Sequence, residues 1–297
     1  MRHMFPFKTI LLGTVLSFIL SGNASGQSFA AGKMVKYTKQ YGGISFTIYK
    51  FSRSASGDTK VKAKYFARNA SSRFNYWKTG KKILLACSGA FSVDWTTQSP
   101  PLGLCVDNGH VVNRTLVIGK DKYGNSLDGL VIVYGGGEAE GGIAMKDIEQ
   151  GRVCTQSPSK CYDIKNSYID RYEFINWAEQ NYATVFQLPL MYSNEYGKNF
   201  GFLYNGNKAE RRFLALCKGY DNVLYHLIID VPGQVYLNYS ADKLIDLLKL
   251  DFKTLYSLAV LDTGGKNILY EYMNGFTNKK ADVDISEATN LIIYYID

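Results

Sequence analysis

The amino-acid sequence predicts an α+β fold: a single domain with mixed β-sheets and a few packed helices. Two patterns support this. Short segments alternate apolar and polar side chains or are continuously apolar, as strands are, and longer segments place apolar side chains at helical spacing. The chain has 297 residues, 46% apolar and 20% charged, which is ordinary globular composition. This composition excludes a wholly disordered chain and a fibre with a fixed Gly or Pro period.

The first 26 residues have the pattern of a secretory signal peptide. Arg2 and Lys8 precede the apolar run 9–20, and small residues follow it. The run is shorter than the roughly 20 residues that span a bilayer, and no later segment is apolar enough to span one. We therefore expect removal of residues 1–26, a mature domain of residues 27–297, a secreted or periplasmic location and no stable membrane insertion.

The charge distribution argues against nucleic acid as a partner. The formal net charge of +8 falls by two when Arg2 and Lys8 leave with the signal peptide. The remaining cations are scattered, with short doublets such as Lys81-Lys82 and Arg211-Arg212, and form no dense basic stripe. A solvated surface is the simplest interpretation, and a preference for anionic ligands is the alternative.

The five cysteines divide into two groups. Cys154 and Cys161 flank a polar loop, and in an oxidising compartment that spacing favours a disulfide. The other three lie inside apolar runs, where buried free thiols are expected: Cys87, Cys105 and Cys217. No Cys-x-x-Cys pair occurs and only two histidines follow the signal peptide, so we expect no metal and no cofactor.

Strand patterns dominate the first half of the mature chain. Residues 44–51 and 61–66 alternate apolar and polar side chains, and the turn residues between them predict a hairpin. The continuous apolar run 83–87 predicts a buried strand that ends at Ser88-Gly89. Asn108-Gly109 between two apolar segments is a strong hairpin signal. Residues 129–134 predict a further strand.

The second half mixes helices and strands. Residues 166–181 have apolar side chains at helical spacing, as do residues 241–249, for which Ser240 is the expected N-cap. Three apolar runs predict further strands: 213–217, 223–230 and 258–262. The glycine-rich segment 135–142 lacks the Gly-Lys-Ser/Thr of a phosphate-binding loop, so we interpret it as a connector.

Candidate chemistry lies where apolar strands end in small residues. Ser88-Gly89 and the run from Asp262 to Gly265 both have this form, which leaves backbone amides free to bind anions. Arg211-Arg212 precedes a strand, where a guanidinium could bind phosphate oxygens. Asp230 and Asp94 could converge with Asp262. Glycosidic cleavage uses such carboxylates, and a phosphate leaving group needs less protonation because it departs as a stable anion.

The order of five segments resembles the phosphodiester glycosidase domain family. The segments are Leu-Ala-Cys-Ser-Gly-Ala-Phe at 85–91, Pro-Leu-Gly-Leu-Cys-Val-Asp-Asn-Gly at 101–109, Arg-Phe-Leu-Ala from Arg212, residues 240–248, and Leu-Asp-Thr-Gly-Gly at 261–265. Members of the family typically show an Asn-Gly-Gly-Phe-Phe turn, a Pro-x-Gly-x-x-x-x-Asn-Gly hairpin, an Arg-Thr-Ala strand and a Leu-Asp-Gly-Gly-Gly-Ser turn. The resemblance covers roughly residues 40–275.

The resemblance implies a secreted hydrolase that cleaves the glycosidic bond of sugar-1-phosphodiesters. Asp262 would act as acid/base or stabilise the oxocarbenium-like centre, Arg212 would hold the phosphate, and Asp230 would belong to the catalytic set. The implied substrate-binding residues are Ser88, Gly89, Asp94, Thr263, Gly264 and Gly265. The expected partner is a sugar phosphodiester or a phosphorylated glycan.

Departures from the family pattern leave alternatives open. Ser88 stands where the family has Asn, Phe213 where it has Thr, and Thr263 where it has Gly. A shorter serine offers one polar group where an amide offers two. A binding module of the same fold that has lost catalysis is the main alternative, and a surface-layer or matrix component is a third.

Overall fold

The computed structural model describes residues 27–29, 34–53, 60–120, 126–149, 151–156, 159–199, 207–273 and 276–297. The expected signal peptide, residues 1–26, lies outside the described residues. No helix among the described residues combines the length and the apolar character needed to cross a membrane.

Strands make up most of the regular structure. The strands up to the middle of the chain are β1 (Gln27–Phe29), β2 (Met34–Tyr41), β3 (Ile44–Ser52), β4 (Lys62–Ala67), β5 (Lys82–Cys87), β6 (Cys105–Asp107), β7 (His110–Asn113), β8 (Gly129–Val133), β9 (Ile143–Asp147), β10 (Val153–Cys154) and β11 (Cys161–Tyr162). Those that follow are β12 (Thr184–Leu188), β13 (Leu190–Ser193), β14 (Gly197–Lys198), β15 (Ala209–Lys218), β16 (Leu224–Val235), β17 (Thr254–Leu261), β18 (Leu269–Met273), β19 (Phe276–Lys279) and β20 (Asn290–Ile296). The α-helices are α1 (Ala70–Trp77), α2 (Tyr168–Gln180) and α3 (Leu237–Asp251), and short 3₁₀ helices occur at Gly137–Ala139 and Ile285–Glu287.

The strands form three large sheets and one two-stranded ribbon. Sheet 1 has the order β1-β2-β3-β16-β15-β17-β13-β14, sheet 2 the order β7-β6-β12-β8-β9, and sheet 3 the order β19-β18-β5-β20-β4, while β10 pairs with β11. Every strand pairing among the described residues is antiparallel. The prediction of mixed sheets is therefore wrong. Of the residues that the structure describes, 46% lie in strands and 18% in helices, so this part of the chain is richer in β-structure than the predicted α+β class implies.

The three sheets share one core. Tyr49, Leu214 and Ile228 from sheet 1 pack in the same buried cluster as Val131 of sheet 2 and Leu85 of sheet 3. Each outer face is covered by one helix: α3 on sheet 1, α2 on sheet 2 and α1 on sheet 3. Because successive side chains on a strand point to opposite faces, sheet 1 supplies one row to the shared core and the other row to α3.

Local sequence signals predicted one hairpin correctly and one wrongly. Asn108 and Gly109 join β6 to β7 with φ of 52° and 78°, the left-handed values that an Asn-Gly hairpin turn uses. The predicted hairpin of 44–51 with 61–66 does not form, because β3 pairs with β2 and β16 in sheet 1 whereas β4 pairs with β20 in sheet 3. The partner of β4 is more than 200 residues away, so no local turn signal could reveal it.

The two predicted helices, α2 and α3, differ from prediction mainly at their starts, and α1 was not predicted. Ser167 caps α2, where its side chain accepts a hydrogen bond from the N–H of Asp170. Helix α3 begins at Leu237, so Ser240 lies in its first turn and donates its hydroxyl to the carbonyl of Leu237 at 2.8 Å. The earlier start buries Leu237 beside Ala241, and this apolar gain replaces the expected cap.

The cysteines follow the prediction. Cys154 and Cys161 form a disulfide that closes the loop between β10 and β11. Cys87, Cys105 and Cys217 are free and buried. The glycine-rich segment 135–142 links β8 to β9, which pair antiparallel.

Candidate functional site

A cavity of about 420 Å³ opens on the α3 side of sheet 1. We call it the pocket. It is bounded by the start of β15, the end of β17, the turn after β17, the start of α3 and the loop 91–102. Its apolar lining includes Phe91, Leu102 and Leu237, and charged side chains also line it. Pockets with a mostly apolar wall and a few fixed polar groups are typical of small-molecule sites.

Asp262 lies at the pocket, immediately after the last residue of β17. Its backbone is held at both ends: its N–H donates to the carbonyl of Gly89 at 2.9 Å, and its carbonyl accepts from Ser88 Oγ at 2.8 Å. Its Oδ1 accepts from the N–H of Gly264 at 2.9 Å. Among the described residues, no hydrogen-bond donor contacts Oδ2. The carboxylate is therefore fixed at one oxygen and available at the other.

Burial sets the protonation behaviour of Asp262. Removal of water from around the carboxyl raises its pKa above the ordinary value for Asp, while the Gly264 N–H and the charge of Arg212 oppose that rise. A raised pKa makes the carboxylate a stronger proton acceptor than an exposed Asp.

The turn after Asp262 brings three predicted residues into the pocket lining: Thr263, Gly264 and Gly265. Thr263 Oγ1 donates to the carbonyl of Glu210 at 2.9 Å and so ties the turn to β15. A Cβ on Gly264 would lie 3.2 Å from Asp262 Oδ1, closer than ordinary contact. Glycine at this position therefore leaves room for the carboxylate.

Asp94 also lines the pocket, on the loop 91–102. Its Oδ1 accepts from the backbone N–H and from Oγ1 of Thr96 at 2.8 and 2.7 Å. Its own N–H donates to Ser99 Oγ at 2.9 Å. These contacts fix the loop, so one Asp94 oxygen is already engaged in structure.

The structure places Arg212 outside the pocket lining, on the opposite face of sheet 1. Its Nε and Nη2 donate to Asp230 Oδ1 at 3.1 and 2.9 Å, and Nη2 also donates to Asn267 Oδ1 at 2.9 Å. Its Nη1 donates to the carbonyl of Ile268 at 2.8 Å and to Ser88 Oγ at 3.4 Å. Arg212 is 1% exposed. Protein acceptors occupy its guanidinium, which does not line the pocket. The structure therefore does not place Arg212 where it could hold a phosphate in this pocket.

Three other predicted residues lie beneath the pocket. Asp230 is the direct cross-strand partner of Arg212 in β16. Ser88 is buried and connects Arg212 to the backbone of Asp262. A Cβ on Gly89 would lie 2.8 Å from Asn290 Oδ1, so close packing explains that glycine. None of these three residues is among the described residues that line the pocket.

Arg211 is the arginine that lines the pocket. Its Nη2 donates to the carbonyl of Asn207 at 2.6 Å, whereas its Nε is buried with no hydrogen-bond partner among the described residues. Burial lowers the pKa of the guanidinium from its ordinary value, and at neutral pH the group stays charged. The family resemblance pointed to Arg212 of this doublet, whereas Arg211 is the arginine that lines the pocket. Side chains alternate between the two faces of a strand, so Arg211 lies on the same face of β15 as the buried Phe213, Ala215 and Cys217. This alternation is the sequence signal that distinguishes Arg211 from Arg212.

Two further lining residues carry no sequence motif. Trp95 lies on the loop 91–102 and is 78% exposed. Lys266 lines the pocket and pairs with Glu287 at 2.9 Å. Within the described part of the chain, no group of three His, Cys, Asp or Glu side chains is arranged to hold a metal ion.

No family model and no curated protein matches the chain. Among solved structures, a hypothetical protein from Synechocystis aligns with a TM-score of 0.47 and 10% identity, over 89% of this chain and 62% of that one. The chain thus spans less than two thirds of that protein. The zebrafish N-acetylglucosamine-1-phosphodiester alpha-N-acetylglucosaminidase catalytic domain, auto-inhibited by its pro-peptide, aligns with a TM-score of 0.44 and 12% identity, over 91% of this chain and 80% of that one. Both are distant resemblances of structure.

Proposed function

We propose that the chain is a hydrolase that cleaves the glycosidic bond of sugar-1-phosphodiesters, N-acetylglucosamine-1-phosphodiesters among them, in the pocket. One observation supports this above the others. The pocket combines a carboxylate with a raised pKa, Asp262, and a cation with a buried unpartnered N–H, Arg211. A substrate with an anionic phosphate and a reactive acetal carbon fits that pair.

Arg211 takes the phosphate-binding role that the family resemblance implies for Arg212. Its Nε is directed to no protein acceptor, and a buried donor without a partner is unfavourable until a ligand supplies one. A phosphate oxygen satisfies both its charge and its hydrogen-bonding capacity. Arg212 instead acts as a positioning residue, because Ser88 links it to the backbone of Asp262.

Asp262 acts as the general base in the proposed reaction. Water attacks the anomeric carbon, the bond from that carbon to the phosphate oxygen breaks, and the bonding electron pair leaves with the phosphate. A proton of the attacking water passes to Asp262, and the products are the free sugar and a phosphomonoester. The leaving group is a stable anion, so one carboxylate and a cationic clamp suffice.

A binding module is the second candidate, and one observation favours it. Among the described residues that line the pocket, the carboxylates are those of Asp94 and Asp262, and Asp94 Oδ1 already accepts two hydrogen bonds from Thr96. Most glycosidases use two carboxylates. Such a module binds a phosphorylated glycan saturably and forms no product.

We also propose that the protein works outside the cytoplasm. The pattern of residues 1–26 and the Cys154–Cys161 disulfide support this, since disulfides persist mainly in oxidising compartments. Detection of the protein without residues 1–26 in the extracellular or periplasmic fraction would test it, and retention of the whole chain in the cytoplasm would contradict it.

The function is tested by time-resolved release of free sugar from a panel of sugar-1-phosphodiesters, including α-N-acetylglucosamine-1-phosphodiesters. Wild type should release sugar, and Asp262→Asn, which keeps the shape and removes the base, should not. Asp94→Asn is the matched control in the same pocket and should keep measurable turnover. Release by Asp262→Asn at the wild-type rate would refute the assignment of Asp262. No release by folded wild type, with saturable binding, would establish the binding module instead.

A further inference from the structure

We propose that Trp95 is the platform on which the sugar ring of the substrate stacks, with the phosphate directed to Arg211. The proposal deepens the proposed function and rests on it, because it names how the same pocket recognises a pyranose.

The indole of Trp95 is largely exposed where it lines the pocket. An ideal Cβ on Gly265 would lie 3.8, 3.9 and 4.0 Å from Trp95 Cε2, Cδ2 and Nε1. Three neighbouring ring atoms at nearly equal distance place Gly265 over the ring and not at its edge. Trp95 and Gly265 line the same pocket, and Trp95 is 78% exposed, so most of the indole surface is accessible to a ligand. An open aromatic face attracts the partly positive C–H groups of an apolar ring surface.

The loop that carries Trp95 is held in place. The N–H of Val93 donates to the carbonyl of Pro100 at 3.1 Å, and the N–H of Leu102 donates to that of Phe91 at 2.7 Å. At the tip, the carbonyl of Thr97 accepts from the N–H of Asn69 at 2.6 Å. A platform that is already ordered loses little conformational entropy when a ligand binds.

The surrounding polar groups favour a sugar over a flat aromatic ligand. Asp262 Oδ2 has no donor among the described residues, and Asp94 lies on the same loop as Trp95. Pyranose hydroxyls are hydrogen-bond donors that carboxylates accept, and the C–H face of the same ring is apolar. Arg211 lines the same cavity and supplies the contact for the phosphate. The ligand class is therefore a pyranose 1-phosphodiester.

Binding measurements test the platform without turnover. The probe is a phosphonate ester of N-acetylglucosamine in which carbon replaces the glycosidic oxygen, so it cannot be hydrolysed, and diethyl phosphate is the acyclic comparison. By calorimetry, Trp95→Ala should weaken binding of the sugar probe about ten-fold, whereas Trp95→Phe should weaken it only about three-fold. Diethyl phosphate should bind all variants equally. Tyr76→Ala removes another highly exposed aromatic side chain, which lies outside the pocket lining, and should change the binding of neither ligand.

Fluorescence gives a second readout that needs no loss of binding. The chain has three tryptophans, and Trp177 is buried while Trp77 is half-buried. The sugar probe should shift the emission of wild type and leave that of Trp95→Phe unchanged.

Three results would overturn the platform: no binding of the sugar probe to wild type, unchanged binding in Trp95→Ala, or equal weakening of both ligands by that substitution. The platform and the function fail separately. Loss of turnover in Asp262→Asn together with unchanged binding in Trp95→Ala would retain the hydrolase and remove the platform. Weaker binding of the sugar probe to Trp95→Ala, with no sugar release by wild type, would retain the platform and remove the hydrolase.

Discussion

Arg211 and Arg212 are neighbours in the chain and have opposite environments. Arg212 is buried on the inner face of sheet 1, where Asp230, Asn267, Ser88 and the carbonyl of Ile268 accept its hydrogen bonds. Arg211 lies on the α3 face, where it donates to one carbonyl and keeps a buried Nε without a partner in the described chain. A charge that the protein satisfies holds the fold together, and a charge left unsatisfied at a cavity is available to a ligand.

The carboxylates repeat this contrast. Asp230 neutralises Arg212 and lies away from the pocket, whereas Asp262 lies in the pocket with one oxygen open and its pKa raised by burial. The Arg212–Asp230 pair and the two charges that line the pocket, Arg211 and Asp262, therefore lie on opposite sides of sheet 1. Substitutions on the two faces should have separable effects.

The largest effect is expected for Arg212→Met. It leaves the partly buried carboxylate of Asp230 without its cation, which costs about 3–5 kcal/mol of the free energy of unfolding. Chemical denaturation measures this, and Arg212→Lys should lie between wild type and Arg212→Met because a lysine cannot reproduce the forked contacts. A loss below about 1 kcal/mol would show that the network is not structural.

The next effect separates two adjacent glycines. In Gly264→Ala the new Cβ lies 3.2 Å from Asp262 Oδ1 and displaces the carboxylate by tenths of an ångström, so kcat for sugar release should fall about ten-fold. In Gly265→Ala the Cβ makes an ordinary 3.8 Å contact with Trp95, and kcat should stay within about two-fold. Equal effects of the two substitutions would mean that the position of Asp262 does not limit the rate.

The smallest expected effect is on the pH dependence of the free energy of unfolding. The pKa of Asp262 is higher in the folded than in the unfolded chain, so the folded state binds the proton more tightly and stability falls as pH rises through that raised pKa. Asp262→Asn does not titrate. Its stability relative to wild type should therefore increase as pH rises from about 4 towards 7, by less than about 1 kcal/mol. Denaturation at several pH values checks this, and a variant that loses stability at neutral pH would contradict the burial of an ionised Asp262.

The pH dependence of activity should also be set by Asp262, but its sign should be opposite to that of stability. The ionised carboxylate is the base, so kcat/KM for sugar release should rise as pH rises through the raised pKa of Asp262 and then level off. A fall in kcat/KM over that range would assign Asp262 as an acid instead.

Local signals were enough for part of the fold. The Asn108-Gly109 hairpin and the Cys154–Cys161 disulfide were predicted correctly, because each depends on a few adjacent residues. The pairing of β4 with β20 and the early start of α3 were not, because distant packing decides them.

The candidate site was predicted in part for a similar reason. The turn from Asp262 to Gly265 lines the pocket, and a strand that ends in small residues marks this turn in the sequence. The choice between Arg211 and Arg212 depends on which face of β15 each side chain takes, and the alternation from Phe213 to Cys217 puts Arg211 on the α3 face. The family resemblance pointed to Arg212 instead. Trp95 lies on an irregular loop and has no periodic pattern that could reveal it.

The separate roles of the two arginines are tested most directly by the kinetics and stability of Arg211→Met, with exposed Arg114→Met as the control. The account predicts that Arg211→Met raises KM for a sugar-1-phosphodiester about ten-fold and changes the free energy of unfolding by less than about 1 kcal/mol, while Arg114→Met changes neither. An unchanged KM in Arg211→Met, or a stability loss as large as that of Arg212→Met, would contradict it.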